Sequence, residues 1–157
     1  MKKEIKVIRE INQNHSGIKV TVSSNDASSD LDFVYHTVET LFSRKLAGEN
    51  IHKEITYVSL INIEHLYTKQ KSVYFQSDGI EYKVEYRLYE LEQKLPAYFV
   101  RISHSEIVNI YHMKSLNSSF PGTIQLLLKN GTTVYVSRRY VNKVTQQIME
   151  VVNHESY

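Results

Sequence analysis

The feature that most limits the fold is a change of hydrophobic period near Asn50. Beyond it, apolar residues recur at every second position in short runs: Ile55-Thr56-Tyr57-Val58, Ile61-Asn62-Ile63, Val73-Tyr74-Phe75, Glu81-Tyr82-Lys83-Val84, Phe99-Val100-Arg101-Ile102, Ile107-Val108-Asn109-Ile110, Ile124-Gln125-Leu126-Leu127-Leu128 and Thr133-Val134-Tyr135-Val136. β-Branched and aromatic side chains at that period suit pleated, half-buried strands. Ser77-Asp78-Gly79 and Lys129-Asn130-Gly131 supply hairpin turns, because asparagine or aspartate followed by glycine accepts positive φ at low cost. No two runs are separated by the dozen or more helical residues that a parallel crossover needs, so the sheet pairing is expected to be mostly antiparallel. Two helices interrupt the strands. Leu88 to Leu95 places Leu88, Leu91 and Leu95 on one side before Pro96, and Tyr140 to Val152 spaces Val141, Val144, Ile148 and Val151 for one apolar face.

The first fifty residues read differently. Residues 2–11 alternate through Ile5, Val7 and Ile11, Gly17 permits a turn, and Ile18-Lys19-Val20-Thr21-Val22 alternates again, which predicts a hairpin. After the polar run Ser23–Ser29, the set Leu31, Val34, Val38, Leu41, Phe42 and Leu46 recurs at helical spacing, predicting an amphipathic helix that ends near Lys45 and Gly48. The expected class is therefore mainly β with short helices (α+β), with residues 1–50 as a hairpin-plus-helix extension and residues 51–152 as the main domain.

Composition removes several functions. With no cysteine, the chain has no disulfide, thiolate zinc site or thiol nucleophile. No apolar run approaches the roughly 18 residues of a membrane span, and the Met-Lys-Lys-Glu start lacks the apolar block of a signal peptide, so a cytoplasmic protein is expected. The chain contains no glycine-rich phosphate loop, nucleophile elbow or recognisable triad, and Glu90 and Glu92 read as an ordinary charged helix face. An enzyme and a cofactor are not expected. The seven histidines are scattered without metal-ligand spacing. The net charge of +2 hides an asymmetry: between Glu106 and Glu150 no acid occurs, while Lys114, Lys129, Arg138, Arg139 and Lys143 do. A polyanion is the partner to test first.

The run Arg101-Ile102-Ser103-His104-Ser105-Glu106-Ile107-Val108-Asn109 carries more than charge. It is preceded by Arg87-Leu88-Tyr89-Glu90-Leu91-Glu92-Gln93-Lys94-Leu95-Pro96 and followed by Lys129-Asn130-Gly131 and Val136-Ser137-Arg138-Arg139-Tyr140-Val141. Together these motifs, in this order over about residues 51–150, resemble the LytTR-type DNA-binding domain of bacterial transcription regulators. The first fifty residues lack the paired acids and alternating elements of a receiver domain, so the resemblance is to the stand-alone members. It implies an elongated antiparallel β domain that reads double-stranded DNA through loops, commonly as a homodimer on paired repeats. It implies three contact loops: Lys69 and Lys71 in the first, Ser103 and His104 in the second, Ser137, Arg138 and Arg139 in the third. Stand-alone relatives are often restrained by a membrane protein, so residues 1–50 are expected either to dimerise, to dock such an inhibitory partner or to pack on the domain.

Side-chain chemistry agrees with those roles. A guanidinium at Arg138 or Arg139 matches guanine O6 and N7 with a rigid fork that an ammonium lacks. Lysines at 69 and 71 suit phosphates, and His104 can donate to a phosphate or a base. Ser105 and Asn109 fit local hydrogen bonding that supports the second loop. Two other readings compete. A protein-interaction module with the same fold would scatter Lys71, His104 and Arg139 over different faces, and a single-strand binder would use the tyrosine-rich strands, such as Tyr74, Tyr82 and Tyr86, as a stacking platform.

Overall fold

A computed structural model describes residues 29–120 and 123–154. The chain divides into two units, Met1–Val38 and Glu39–Tyr157. Helix α1 (Ser29–Ser43) runs through that boundary. The expected hairpin of residues 2–22 lies outside the described residues.

The described residues of the second unit form ten strands in two antiparallel sheets. The larger is formed by β1 (Lys45–Glu49), β2 (Ile55–Ser59), β3 (His65–Lys69), β4 (Ser72–Ser77), β5 (Ile80–Val84), β6 (Phe99–Arg101) and β7 (Glu106–Asn109), in the order β2-β1-β5-β4-β3-β7-β6. The smaller is formed by β8 (Met113–Phe120), β9 (Thr123–Leu128) and β10 (Thr133–Val136), in the order β10-β9-β8. Helix α2 (Leu88–Lys94) precedes β6, and α3 (Val141–His154) follows β10. This is the α+β class expected from the period-two runs. Among the described residues, every strand pair is antiparallel.

Two apolar cores meet at the β6/β7 ribbon. One is built from Leu66, Val73, Phe75, Tyr82 and Val84 of the larger sheet with Leu88 and Leu91 of α2. The other is built from Ile124, Leu126, Leu128, Val134 and Val136 of the smaller sheet with Val144 and Ile148 of α3. Phe99 and Ile107 turn into the first core, whereas Val100, Ile102, Val108 and Ile110 turn into the second. A strand alternates its side chains across two faces. The near-continuous apolar runs at 99–102 and 107–110 are therefore explained: both faces of this ribbon are buried. Each large side chain buried there contributes about 1.5–3 kcal/mol.

Several local expectations need correction. The helix expected over Leu31–Leu46 stops at Ser43, and Lys45–Glu49 is a strand paired with β2 from Lys45↔Ser59 to Glu49↔Ile55. Leu46 sits at helical spacing from Phe42 but is drawn into the first core, where only an extended backbone also buries Gly48 two residues on. Gly48 does not cap a helix. A Cβ there would lie 2.7 Å from a Phe75 ring carbon and 2.7 Å from Tyr82 Cβ, so the residue is small because two stacked rings cross the strand. The Ile61–Ile63 run is not a strand either: Leu60–Asn62 forms a 3-10 turn, with Ile63 N–H donating to the Leu60 carbonyl at 3.1 Å. β1, β3 and β8 were not anticipated. Both hairpins form where expected, but only Asp78-Gly79 is the two-residue turn, at φ 50° and 76°; at the other, Gly131 alone is left-handed, at φ 89°, and Leu128 N–H donates to the Thr132 carbonyl at 2.8 Å, closing a three-residue loop.

Candidate nucleic-acid interface

The first loop is the β3/β4 turn. Lys69 pairs with Ser72 across the ladder, leaving Gln70 and Lys71 as a two-residue connection, both left-handed at φ 50° and 66°. Positive φ at both central positions is the pattern of the hairpin turns whose twist matches the strands. Here, unlike at Asp78-Gly79, neither residue is glycine. Lys71 is exposed at the tip. Lys69 is engaged elsewhere: its ammonium lies 3.0 and 3.2 Å from the Glu81 carboxylate and 5.4 Å from the Tyr74 ring centre. Glu81 also accepts a short hydrogen bond from the Tyr67 hydroxyl, which, with Lys69, holds its carboxyl below the usual range.

The second loop, residues 102–105 between β6 and β7, is built around a side chain missing from the expected contact set. Arg101 is 6% exposed. Its Nε donates to the Ser103 carbonyl at 2.6 Å, its Nη2 donates to the His104 carbonyl, and its Nη1 reaches the Glu92 carboxylate at 3.1 Å. Ser103, expected to touch phosphate, is buried; its hydroxyl accepts from Ser105 N–H at 3.2 Å and lies 3.3 Å from the Ser105 hydroxyl. The His104 side chain is exposed. Asn109 supports another place than the one expected. It is fully buried at the far end of β7, donates to the Ile63 carbonyl at 2.8 Å and accepts from Tyr111 N–H at 3.0 Å, so it pins a 3-10 turn rather than the second loop.

The third loop joins β10 to α3. Ser137, Arg138 and Arg139 are exposed, and Arg138–Tyr140 forms a 3-10 turn leading directly into the helix. Amphipathic α3 buries Val144 and Ile148, which fixes where that turn leaves the domain.

Backbone hydrogen bonds stitch these loops to one another. Thr68 N–H donates to the Ser105 carbonyl at 2.9 Å, joining the first loop to the second, and Ser137 N–H donates to the Ile102 carbonyl at 2.9 Å, joining the second to the third. All three leave the sheets at one end. β3 and β7 are adjacent, so the first two loops lie about two strand widths, roughly 10 Å, apart. Lys71, His104, Arg138 and Arg139 therefore rise from one edge. The basic stretch seen in the sequence is not one patch, however. Lys114 and Lys129 lie at the opposite end of the smaller sheet, where Met113 pairs with Leu128, roughly 20 Å along the strands from Ser137. Lys143 is bound to Glu92 at 2.8 Å.

The other titratable features belong to the scaffold. His65 stacks on Tyr67 with ring centres 4.7 Å apart, and burial pushes its imidazole down to about 4. Burial also raises the Glu106 carboxyl above its usual range. Among the described residues there is no cluster of His, Asp or Glu arranged to hold a metal ion, and no helix long and apolar enough to cross a membrane.

Arg101 and Glu92 were missed because a lone arginine in a strand and an acid on a helix read as solvated charge. The only sequence signal was position. Arg101 falls on a run otherwise buried on both faces, where a charge needs a partner.

Comparisons with known proteins bear on the family and the fold. A family model, the LytTr DNA-binding domain, matches residues 53–149. HTH-type transcriptional regulators of Staphylococcus aureus strains NCTC 8325 and COL are each 29% identical over 138 residues, covering 88% of this chain and 94% of theirs. A further one from strain MSSA476 is 36% identical over 98 residues, covering 62% of this chain and 67% of its own. Among solved structures, the LytTr DNA-binding domain of a methyl-accepting/DNA response regulator from Bacillus cereus superposes with a TM-score of 0.63 at 26% identity, covering 66% of this chain and 95% of that one. Although those relatives carry a helix-turn-helix designation, no two helices are joined by a short turn among the described residues here. The family match over residues 53–149, more than half of the chain, places it in the LytTR family of DNA-binding regulators.

Proposed function

We propose that the protein is a sequence-specific transcription regulator that reads successive major grooves of duplex DNA through the three stitched loops, as a dimer on paired repeats. The observation that carries this is the common exit of Lys71, His104, Arg138 and Arg139 at one edge, tied by the Thr68–Ser105 and Ser137–Ile102 backbone bonds. Arg139 or Arg138 takes a guanine edge, since a planar fork matches O6 and N7 together. Lys71 takes a phosphate from the tip of its turn, and His104 and Ser137 donate to neighbouring backbone or base acceptors. Lys69, already paired with Glu81, contributes long-range field rather than a direct contact, and Ser103 acts with Ser105 inside the loop. Of the expected extension, Lys45–Glu49 belongs to the larger sheet, and the residues before it serve association, either with a second copy or with a restraining membrane protein.

The test is a titration of the full chain with a duplex from its own promoter and with a scrambled duplex of equal length, at several salt concentrations. Promoter binding is expected to exceed scrambled binding by about a thousandfold or more, the lower range for specific sites. It should weaken with salt by a slope of about −0.9 per phosphate neutralised. Equal affinity for both duplexes would refute sequence reading, and no binding to either would favour a protein-interaction module.

A further inference from the structure

We propose that the Glu92 carboxylate, acting through Arg101 and Lys143, sets the spacing between the second and third contact loops, and that these three residues are positioning residues for specificity although none of them touches DNA. The inference rests on the proposed three-loop reading and adds to it a site outside the loops.

The geometry begins with the guanidinium. Arg101 holds the Ser103 and His104 carbonyls at once, so both peptide oxygens turn inward while the His104 side chain stays outside. The remaining nitrogen, Nη1, binds Glu92 Oε2 at 3.1 Å on helix α2. The second oxygen of that carboxylate, Oε1, accepts from Lys143 Nζ at 2.8 Å. Lys143 lies on α3 four residues beyond Arg139, in the first turn of the helix that the third loop leads into. One carboxylate thus binds the frame of the second loop through one oxygen and the root of the third through the other. A second tie, Ser137 N–H to the Ile102 carbonyl at 2.9 Å, lies at the base of the same two loops. Two separate ties between a pair of loops remove the rotation that one tie would leave.

The rest of the local chemistry favours positioning over contact. At 6% exposure, Arg101 is too buried to reach a phosphate. A buried arginine kept only for volume gains little over an apolar side chain, because the desolvation cost offsets the pairing. A planar donor set that fixes two consecutive carbonyls and an acid does what an apolar side chain cannot. Lys143, more than half exposed, is the weaker arm. Discrimination between bases requires two readers to meet their edges together, whereas general attraction to the duplex does not.

Full-length wild type, Glu92→Gln and Arg101→Met are compared by fluorescence anisotropy on the promoter duplex and the scrambled duplex across a salt series, below the unfolding temperature of each variant. The expected result is loss on the promoter of about fivefold for Glu92→Gln and tenfold or more for Arg101→Met, the scale of one base readout. Scrambled-duplex affinity should stay within about twofold with the salt slope unchanged, since no phosphate contact is removed. A merely structural role would not separate the two duplexes. Equal loss on both, a slope smaller by about 0.9, or unchanged promoter binding in Glu92→Gln would each overturn the proposal. Glu92→Gln keeps the side-chain volume and an acceptor for Arg101, so it decides the matter if Arg101→Met does not fold. If wild type itself fails to prefer the promoter, the three-loop reading falls and takes this one with it; if wild type prefers it and the variants match wild type, this one alone falls.

Discussion

Replacing Lys71 by glycine should make the protein more stable and a poorer DNA binder. Lys71 sits at φ 66°, next to Gln70 at φ 50°. A residue with a Cβ in the left-handed region is strained by roughly 1–2 kcal/mol relative to glycine. Glycine in turn gives the unfolded chain more freedom, which costs about 0.4–1 kcal/mol. The difference leaves Lys71→Gly more stable by about 0.5–1 kcal/mol, an increase of roughly 1–4 °C in Tm for a domain of this size. Lys71→Ala retains the Cβ and the strain, so it should melt near wild type while losing the same charge. Thermal unfolding of the three proteins isolates the backbone term, and DNA titration at several salt concentrations isolates the charge: both variants should lose about one phosphate's worth of slope, close to 0.9. The Asp78-Gly79 turn at the other end of β4, with the same signs of φ, shows the less strained solution within the same sheet. If Lys71→Gly is no more stable than Lys71→Ala, the strain argument is wrong; if either variant keeps the full salt slope, Lys71 is not a phosphate contact.

Arg139→Ala should lose about 1–3 kcal/mol of promoter binding with relaxed selectivity at one base position; normal affinity and selectivity in a titration of single-base operator variants would remove Arg139 from the readout. Gly48→Ala should destabilise the domain by about 1–3 kcal/mol, because the added Cβ meets Phe75 and Tyr82 at 2.7 Å, and chemical denaturation with an unchanged midpoint would contradict the close approach. Stability should fall as the pH drops from about 6.5 toward 4, because His65, lowered in the folded state to about 4, binds a proton more readily when unfolded. The full effect is about 3 kcal/mol. Glu81, held low in the folded state, acts in the same direction at lower pH, whereas Glu106, raised by burial, opposes it. His65→Phe preserves the stack on Tyr67 and should flatten the upper part of this dependence; an unchanged curve would rule His65 out.

Where a segment's conformation is decided by its own residues, it was legible. The Asp78-Gly79 turn, the hairpin at Lys129–Gly131, the alternating runs of β9 and β10 and the leucine spacing of α2 all form where they were read, because turn chemistry and side-chain period act within a few residues. β8, with the sequence Met-Lys-Ser-Leu-Asn-Ser-Ser-Phe, has weak strand propensity and exists because β9 offers it a ladder. β1 fits a helical spacing as well as a strand, and the first core chose between them by burying Leu46 under the larger sheet. Helix propensity and period are weak against that burial.

The proposed contact loops divide in the same way. That Lys71, His104, Arg138 and Arg139 have the donors a duplex needs is a property of the residue types and their motifs. That they share one edge, while Lys114 and Lys129 of the same basic stretch lie at the other end, is a property of antiparallel pairing, which sends neighbours in sequence to opposite ends of a sheet. Pairing also decided which charges stay available. Lys69 is held by Glu81 from a strand twelve residues away, and Arg101, Glu92 and Lys143 come together from a strand and two helices. A charge's identity is written in one residue, but its partner depends on which distant segments the core brings within about 3 Å.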